Sequence, residues 1–369
     1  MATDRAPMYN ENKPGIALVG AAGILVGLMA MWVTLAIHDW DPAGPLMVGV
    51  EAPLRDYVED RLGDIPLTDG TGHDGKYFFV QAHDPLLLAP VANATLMERP
   101  TYRSQRMLYP LMASAGSWFG DTGILWFMLL INVLAIGVGT WATAAFALAT
   151  GAGRWFGLAF ALNPGILFEL AFDGSGVIAW ALVMVAVYAA RKRNWMGMVV
   201  AACGAVLARE VMLLPVAGVA VYLWSRERSG ALMVLSVPLL ASGSWAWWVR
   251  RQMDVPITTV ESNELGGPLV GFGQALRQWL QAPDLRLVVG LVVVAVVVLA
   301  LRQTMSGRDL MTLTGLGIAV VAVFLRAHVW YNYYDNTRAI APLFTTVVLV
   351  WAVRRSMSRG ERGSADAGH

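Results

Sequence analysis

The chain has 369 residues, of which 57% are hydrophobic and 14% charged, against about 45–50% and about 25% in an ordinary soluble domain. That balance, with 15 Trp and 37 Gly and a mean hydropathy of +0.54, excludes a soluble enzyme and indicates a polytopic membrane protein. The net charge of +1 says little, because its placement matters more than its sum, and the single cysteine, Cys203, excludes a disulfide framework and a cysteine-rich zinc site. Of the 27 basic residues only Lys13, Lys76 and Lys192 are lysine, an arginine bias that reads as a GC-rich prokaryotic genome.

Residues 1–15 form a polar tail. The apolar run that follows, Gly15 to Ile37 with its span placed at 16–37, has 23 residues and at about 1.5 Å per residue crosses a hydrocarbon core about 30 Å thick. Its end, Thr34-Leu35-Ala36-Ile37-His38, is a poor cleavage site, so the run is expected to stay as an anchor. Further apolar runs cover 122–149, 156–172, 175–190, 195–208, 211–224, 230–249, 285–302, 310–325 and 339–353. Together they predict an all-α bundle of about ten transmembrane helices, with 122–354 as its main body and a polar, disordered tail at 355–369.

Short basic connections at Arg154, Arg191-Lys192-Arg193, Arg226 and Arg228, Arg302 and Arg308, and Arg354-Arg355 are cytoplasmic by the positive-inside rule, as are both termini. The long segment 38–121, with 12 Asp/Glu against 6 Lys/Arg, then lies outside, together with the turns 169–176, 209–210 and 326–338. Arg250-Arg251 ends a helix on the outer side, against the rule. Within 38–121 the run 107–119 reads as a re-entrant or interfacial helix, because a span there would put Arg191-Lys192-Arg193 outside. The arms 195–208 and 211–224 have 14 residues each, only about 21 Å of helix. Arg209-Glu210 is therefore expected below the outer interface, facing protein or a water-filled cavity.

Polar groups concentrate on this outer side. The first loop carries Gly72-His73-Asp74-Gly75-Lys76-Tyr77-Phe78-Phe79, then Asp84-Pro85, then Tyr102-Arg103-Ser104-Gln105-Arg106-Met107-Leu108-Tyr109-Pro110. The turns carry Asn163-Pro164 with Glu169 and Asp173, then Arg209-Glu210, then His328 and Tyr331-Asn332-Tyr333-Tyr334-Asp335-Asn336-Thr337-Arg338. The ordered set over 72–110, with the later Ala208-Arg209-Glu210, resembles bacterial membrane proteins of cell-surface glycopolymer formation. It is similar to the GT-C superfamily of polyprenyl-phosphate-sugar-dependent glycosyltransferases. His73 stands where Tyr is commoner and Lys76 where Gln is commoner.

The resemblance implies a GT-C-like bundle whose first extracytoplasmic loop holds short interfacial helices, in a prokaryotic plasma membrane with its site facing outward. It implies a multi-pass glycosyltransferase that takes a hexosyl or pentosyl group from a polyprenyl-phosphate-linked sugar to a glycan, lipid or protein acceptor, with inversion. Asp74 would act as general base, or help hold a divalent cation such as Mg or Mn. Inverting transfer needs one carboxylate in reach of the acceptor hydroxyl and basic groups for the leaving phosphate. Arg103, Arg106, Arg209 and Arg338 are the candidates for that grip, with Lys76 weaker. His73, Tyr77, Asp84, Tyr102, Tyr109, Glu210, Asp39 and Asp335 are supporting candidates, and no nucleic-acid partner is expected.

Each residue also has a structural reading. Asp74 could be an ordinary turn residue, expected in water beside a flexible glycine pair. Arg103 and Arg106 could anchor in headgroups, and Arg209-Glu210 could be an ion pair closing a hairpin. Tyr331, Tyr333 and Tyr334 with Trp330 read as an interfacial aromatic belt, and Trp245 to Trp248 as lipid-facing or core packing. His73, His83 and His328 lack a zinc spacing, and Asn93-Ala94-Thr95 matters only in a glycosylating host. The rival function is a lipid-linked-saccharide transporter or flippase, or a non-catalytic accessory protein. The chain shows no convincing internal repeat of the transporter kind. An O-antigen-type ligase or polymerase would place its large outer loop late in the chain.

Overall fold

A computed structural model describes residues 13–254 and 265–366. The fold is all-α apart from a two-residue parallel pairing of β1 (Val48–Gly49) with β2 (Leu67–Thr68). Helix α1 (Lys13–Ile37) is followed by short helices of the 38–121 segment: α2 (Arg55–Leu62), α3 (Gly75–His83), α4 (Val91–Leu96), α5 (Pro100–Arg103) and α6 (Leu108–Ala113). The bundle continues with α7 (Asp121–Ala149), α8 (Leu158–Ala161), α9 (Pro164–Ala171), α10 (Gly176–Arg191), α11 (Trp195–Ala208), α12 (Leu213–Trp224) and α13 (Arg228–Gln252). It closes with α14 (Val270–Gln281), α15 (Leu285–Ser306), α16 (Leu310–Val323), α17 (Ala327–Tyr331), α18 (Tyr333–Ala339) and α19 (Ala341–Asp366).

Four helices among the described residues, α1, α7, α13 and α15, are long and apolar enough to cross a membrane, or five if α18 and α19, bent by 58° at Ile340, form one span. The apolar helices α10, α11, α12 and α16 are shorter, so the ten full-length spans that hydropathy predicts are not matched by ten full-length helices. The run 156–172 departs most. It breaks at Asn163-Pro164, where proline has no N–H to donate and the Asn163 side chain accepts from the Gly165 amide at 3.0 Å to start α9. Residues 107–119 form α6 and a 3-10 turn, Ser114–Phe119, too short to span. The tail departs in the other direction. Helix α19 continues through Arg354-Arg355 to Asp366, since no proline interrupts a stretch containing good helix formers.

Helix α7 is the centre of the bundle: 67% of its apolar window is buried, against 17% for α13 and 22% for α15. It packs on α1 and α10. Close approach of α1 depends on small residues, as is usual where lipid leaves no hydrophobic driving force between helices. A Cβ at Gly23 would lie 2.6 Å from Thr140 Cβ, and one at Gly27 3.3 Å from Val133 Cα. Gly23→Leu is therefore expected to push α1 off α7 and lower the melting temperature of the detergent-solubilised protein, whereas Leu25→Ala, on a face 66% exposed, should leave it near the parent value.

Candidate functional site

The 38–121 segment meets the turns after α9, α11 and α17 at one end of the bundle, and Asp74 lies at the meeting point. Its position is set by two glycines. Gly72 has φ +76°, a backbone state that favours glycine, and the following His73 amide donates to the Met47 carbonyl at 3.0 Å. Gly75 is required by contact: a Cβ there would come 2.9 Å from the Phe172 carbonyl oxygen and 3.0 Å from Leu46 Cα. The glycine pair thus fixes Asp74 against the turn after α9. The carboxylate is not free in water. Its side chain is 21% exposed, one oxygen is paired with Arg103 and the other accepts from Arg106 Nη1 at 3.1 Å.

The two arginines are not equivalent. Arg106 is 5% exposed in its side chain and has four of its five N–H groups engaged. Besides Asp74 it donates from Nε to Glu210 Oε2 at 3.1 Å, and from Nη2 to Glu210 Oε1 at 3.2 Å and to the Tyr102 hydroxyl at 2.5 Å. Arg103 is 19% exposed, lies 4.5 Å over the Tyr77 ring, and its Nε–H has no acceptor. Arg106 thus holds most of its donors in fixed contacts, while Arg103 keeps an Nε–H with no acceptor.

Arg209 and Glu210, adjacent in the chain, do not pair with each other. Glu210 joins Arg106, while Arg209 Nη1 donates to Glu169 Oε1 at 2.5 Å. Arg338 Nε lies 3.4 Å from the same Glu169 oxygen, and its Nη1 lies 3.6 Å from Asp335 Oδ1. Glu169 is 1% exposed and its other oxygen accepts from the Gly176 amide at 3.1 Å. Glu169, Arg209 and Arg338 line a cavity of about 30 Å³, room for about one water rather than a phosphate. Residues of all three turns thus share this small cavity, but Asp74 is not in its lining.

The remaining candidates separate. The Lys76 ammonium, 1% exposed, donates to the His73 carbonyl at 2.7 Å. Tyr109 is fully buried: its hydroxyl donates to the Met128 carbonyl at 3.0 Å, accepts from Asn132 Nδ2 at 2.9 Å, and lies 3.5 Å from Asp173 Oδ1. Asp84 caps a turn, accepting from the Leu88 and Ala89 amides at 2.8 Å each. Asp39 sits in the turn after α1 with φ 53°. Neither aspartate joins the cluster. Asn132 and Phe172 are participants that the sequence does not single out, and Glu169, noted there as a polar residue of its turn, is not among the site candidates; only the tertiary arrangement brings the three to the loop.

A groove of about 860 Å³ adjoins the site, lined by Leu86, Leu88 and Met107 and by α13 residues including Leu239, Trp245 and Trp248. Met107 follows Arg106 directly. The tryptophans are more than lipid-facing bulk: Trp245 Nε1 donates to the Ser104 carbonyl at 2.8 Å and Trp248 Nε1 to the Leu86 carbonyl at 2.9 Å. They tie α13 to the loop and hold the groove beside the arginines. A divalent cation does not fit at Asp74, because both carboxylate oxygens face guanidinium groups. Among the described residues no group of three or more His, Cys, Asp or Glu could hold a metal ion.

Burial pushes the Asp74 carboxyl up, but Arg103, Arg106, Arg338 and Arg209 outweigh it and hold it well below the usual carboxylate range. Burial, with Arg338 adding to it, lowers His73 to about 4, and burial lowers Lys76 to about 8. Between about pH 4 and the ordinary histidine value of about 6.5, the unfolded chain binds the His73 proton and the folded chain does not. Stability from this group is therefore lost as pH falls through that window. Thermal unfolding between pH 7 and pH 4 should show the loss, and His73→Gln should flatten it. The Asp74 contribution runs the same way but persists to lower pH, because its folded value lies beneath the unfolded one.

Comparison with known proteins finds no matching family model, no matching curated protein and no matching solved structure.

Proposed function

We propose that this protein is a membrane glycosyltransferase that moves a sugar from a polyprenyl-phosphate donor to an acceptor outside a prokaryotic plasma membrane, with Asp74 as general base. The observation that carries the reading is a carboxylate held by two arginines where an apolar groove on α13 opens. That is the pairing of charge and apolar surface that a lipid phosphate requires. The resemblance of residues 72–110 to the GT-C superfamily points the same way.

The chemistry divides among the chain's own groups. The donor's isoprenoid lies in the groove, which brings its phosphate to Arg103, whose Nε–H has no acceptor. As Arg103 turns to the phosphate, Asp74 loses one of its two cationic partners and becomes a stronger base. It takes the proton from the acceptor hydroxyl, the hydroxyl oxygen bonds to the anomeric carbon, and the bond from that carbon to the phosphate oxygen breaks. The lipid phosphate leaves with the bonding electrons and Arg103 neutralises it. Arg106 positions Asp74 throughout, itself fixed by Glu210 and Tyr102.

Purified protein incubated with polyprenyl-phosphate sugars should release the lipid phosphate. Asp74→Asn should lower turnover by about 10²–10⁴-fold, the usual worth of a general base, while donor binding survives. Arg103→Ala should instead weaken donor binding, by about 1.5–3 kcal/mol for a lost charged hydrogen bond. Wild-type turnover in Asp74→Asn would remove the base assignment, and no release from any donor would favour transport or a scaffolding role.

The proposed topology puts 38–121 outside and the 302–308 connection in the cytoplasm. With Cys203 replaced by alanine, Asp60→Cys and Ser306→Cys should react with an impermeant thiol reagent from opposite sides of the membrane. Labelling of both from one side would reverse part of the bundle.

A further inference from the structure

Two of the three tyrosines that sequence assigns to an interfacial belt, Tyr333 and Tyr334, belong to a packed aromatic cluster beside Asp74. The His73 ring stacks on Phe172, with centroids 4.5 Å apart and planes 8° apart. Tyr334 sets its edge against both, at 5.2 Å from His73 and 5.4 Å from Phe172. Tyr333 stands edge-on to Tyr334 at 5.4 Å and to Phe168 at 5.7 Å, and Phe168 lies 6.2 Å from Phe172. Three separate parts of the chain supply the five rings: the loop before α3, the end of α9 and the start of α18. All five residues are half-buried, so each keeps part of its surface open.

We propose that His73, Phe168, Phe172, Tyr333 and Tyr334 form a carbohydrate platform that stacks a pyranose ring of the acceptor, which makes the acceptor a glycan. The face of a pyranose that carries its axial C–H groups is apolar with weakly positive hydrogens, the complement of the negative face of an aromatic ring. Sugar hydroxyls at the rim need polar partners, and the platform provides them. The Tyr333 and Tyr334 hydroxyls have no partner among the described residues, and a neutral imidazole on His73 both donates and accepts; with its pKa lowered to about 4, His73 is neutral at physiological pH. A belt would distribute such rings around the perimeter at headgroup level. Here they pack on one another, and on the residue next to Asp74.

Placement decides which sugar is bound. The groove meets the site through Met107, next to the Arg106 that pairs with Asp74, and the aromatic cluster through His73, which precedes Asp74, so Asp74 connects the two. A base between donor and acceptor is where proton removal from the acceptor hydroxyl requires it. Assigning the stacked sugar to the acceptor rests on the transferase reading, whereas the stacking itself does not.

The test uses the full-length solubilised chain and three probes: methyl α-D-glucopyranoside, methyl α-D-mannopyranoside and methyl β-D-galactopyranoside. Saturation-transfer NMR should show at least one of them bound, with transfer strongest to the protons of one ring face. Tyr334→Leu and Tyr333→Leu should each weaken that binding by about tenfold, the worth of an aromatic contact, with Tyr334→Phe keeping most of it; melting temperatures control for folding. Absence of binding for all three probes would overturn the proposal. So would wild-type binding in both leucine variants, and if those variants also partition less into phospholipid vesicles, the rings are a belt. Lipid-phosphate release measured on the same samples separates the two readings. Glycoside binding without release from any donor retains the platform and removes the transferase, whereas release without glycoside binding does the reverse.

Discussion

The Arg106 guanidinium organises the charged end of this bundle. A buried arginine in an apolar protein is tolerated only when its donors are met by acceptors and its charge by carboxylates. Arg106 meets that condition by reaching three parts of the chain at once: Asp74 before α3, Tyr102 in α5 and Glu210 at the break between α11 and α12. The 38–121 segment, which has little sheet and only short helices of its own, is thereby attached to the bundle. Removing the guanidinium would leave Glu210 without its ionic partner and Asp74 with Arg103 alone; breaking a buried pair costs about 3–5 kcal/mol.

A second charged group, Glu169 with Arg209 and Arg338, repeats the device one layer away. It binds the end of α9 to the α11–α12 break and to α18. The two groups share the dipeptide Arg209-Glu210, whose side chains point to different clusters. The break that divides α11 from α12 leaves Arg209 extended, with φ −158° and ψ 116°, and consecutive side chains on extended backbone point to opposite sides. One local feature of the backbone thus distributes one positive and one negative charge to two sites. The carboxylates keep the arginines in place in the resting arrangement, and within the two groups Arg103 and Arg338 each retain an Nε–H with no acceptor.

Chemical roles divide along the same lines. In the proposed function Arg106, held by Asp74, Glu210 and Tyr102, orients and Arg103 binds, while Asp74 between them stays ionised because guanidinium groups surround it. A carboxylate held that low is a weak base until one guanidinium leaves, so under the proposed function the resting site holds its base in reserve. Asp74 follows His73 of the aromatic cluster in the chain and pairs with Arg106, whose neighbour Met107 lines the α13 groove with leucines and tryptophans, so it has two dissimilar neighbours.

The sequence by itself determined which stretches are apolar helices, because burial in lipid or protein demands long runs without charge, and most runs reappear with ends shifted by only a few residues. It also singled out Asp74, Arg103, Arg106 and Arg338, since charged residues are costly near apolar spans and stand out by type and position. Tertiary structure alone decided their partners. Local spacing suggests that Arg209 pairs with Glu210, yet each finds a carboxylate or arginine from a distant segment. Hydropathy likewise reads 156–172 as a span, while Asn163 and Pro164 break it and turn Glu169 and Phe172 toward the loop. Nor does periodicity tell a tyrosine in an aromatic cluster from one at a membrane interface. Pattern records whether a residue is polar or apolar, and the choice among several possible partners depends on which helices pack together.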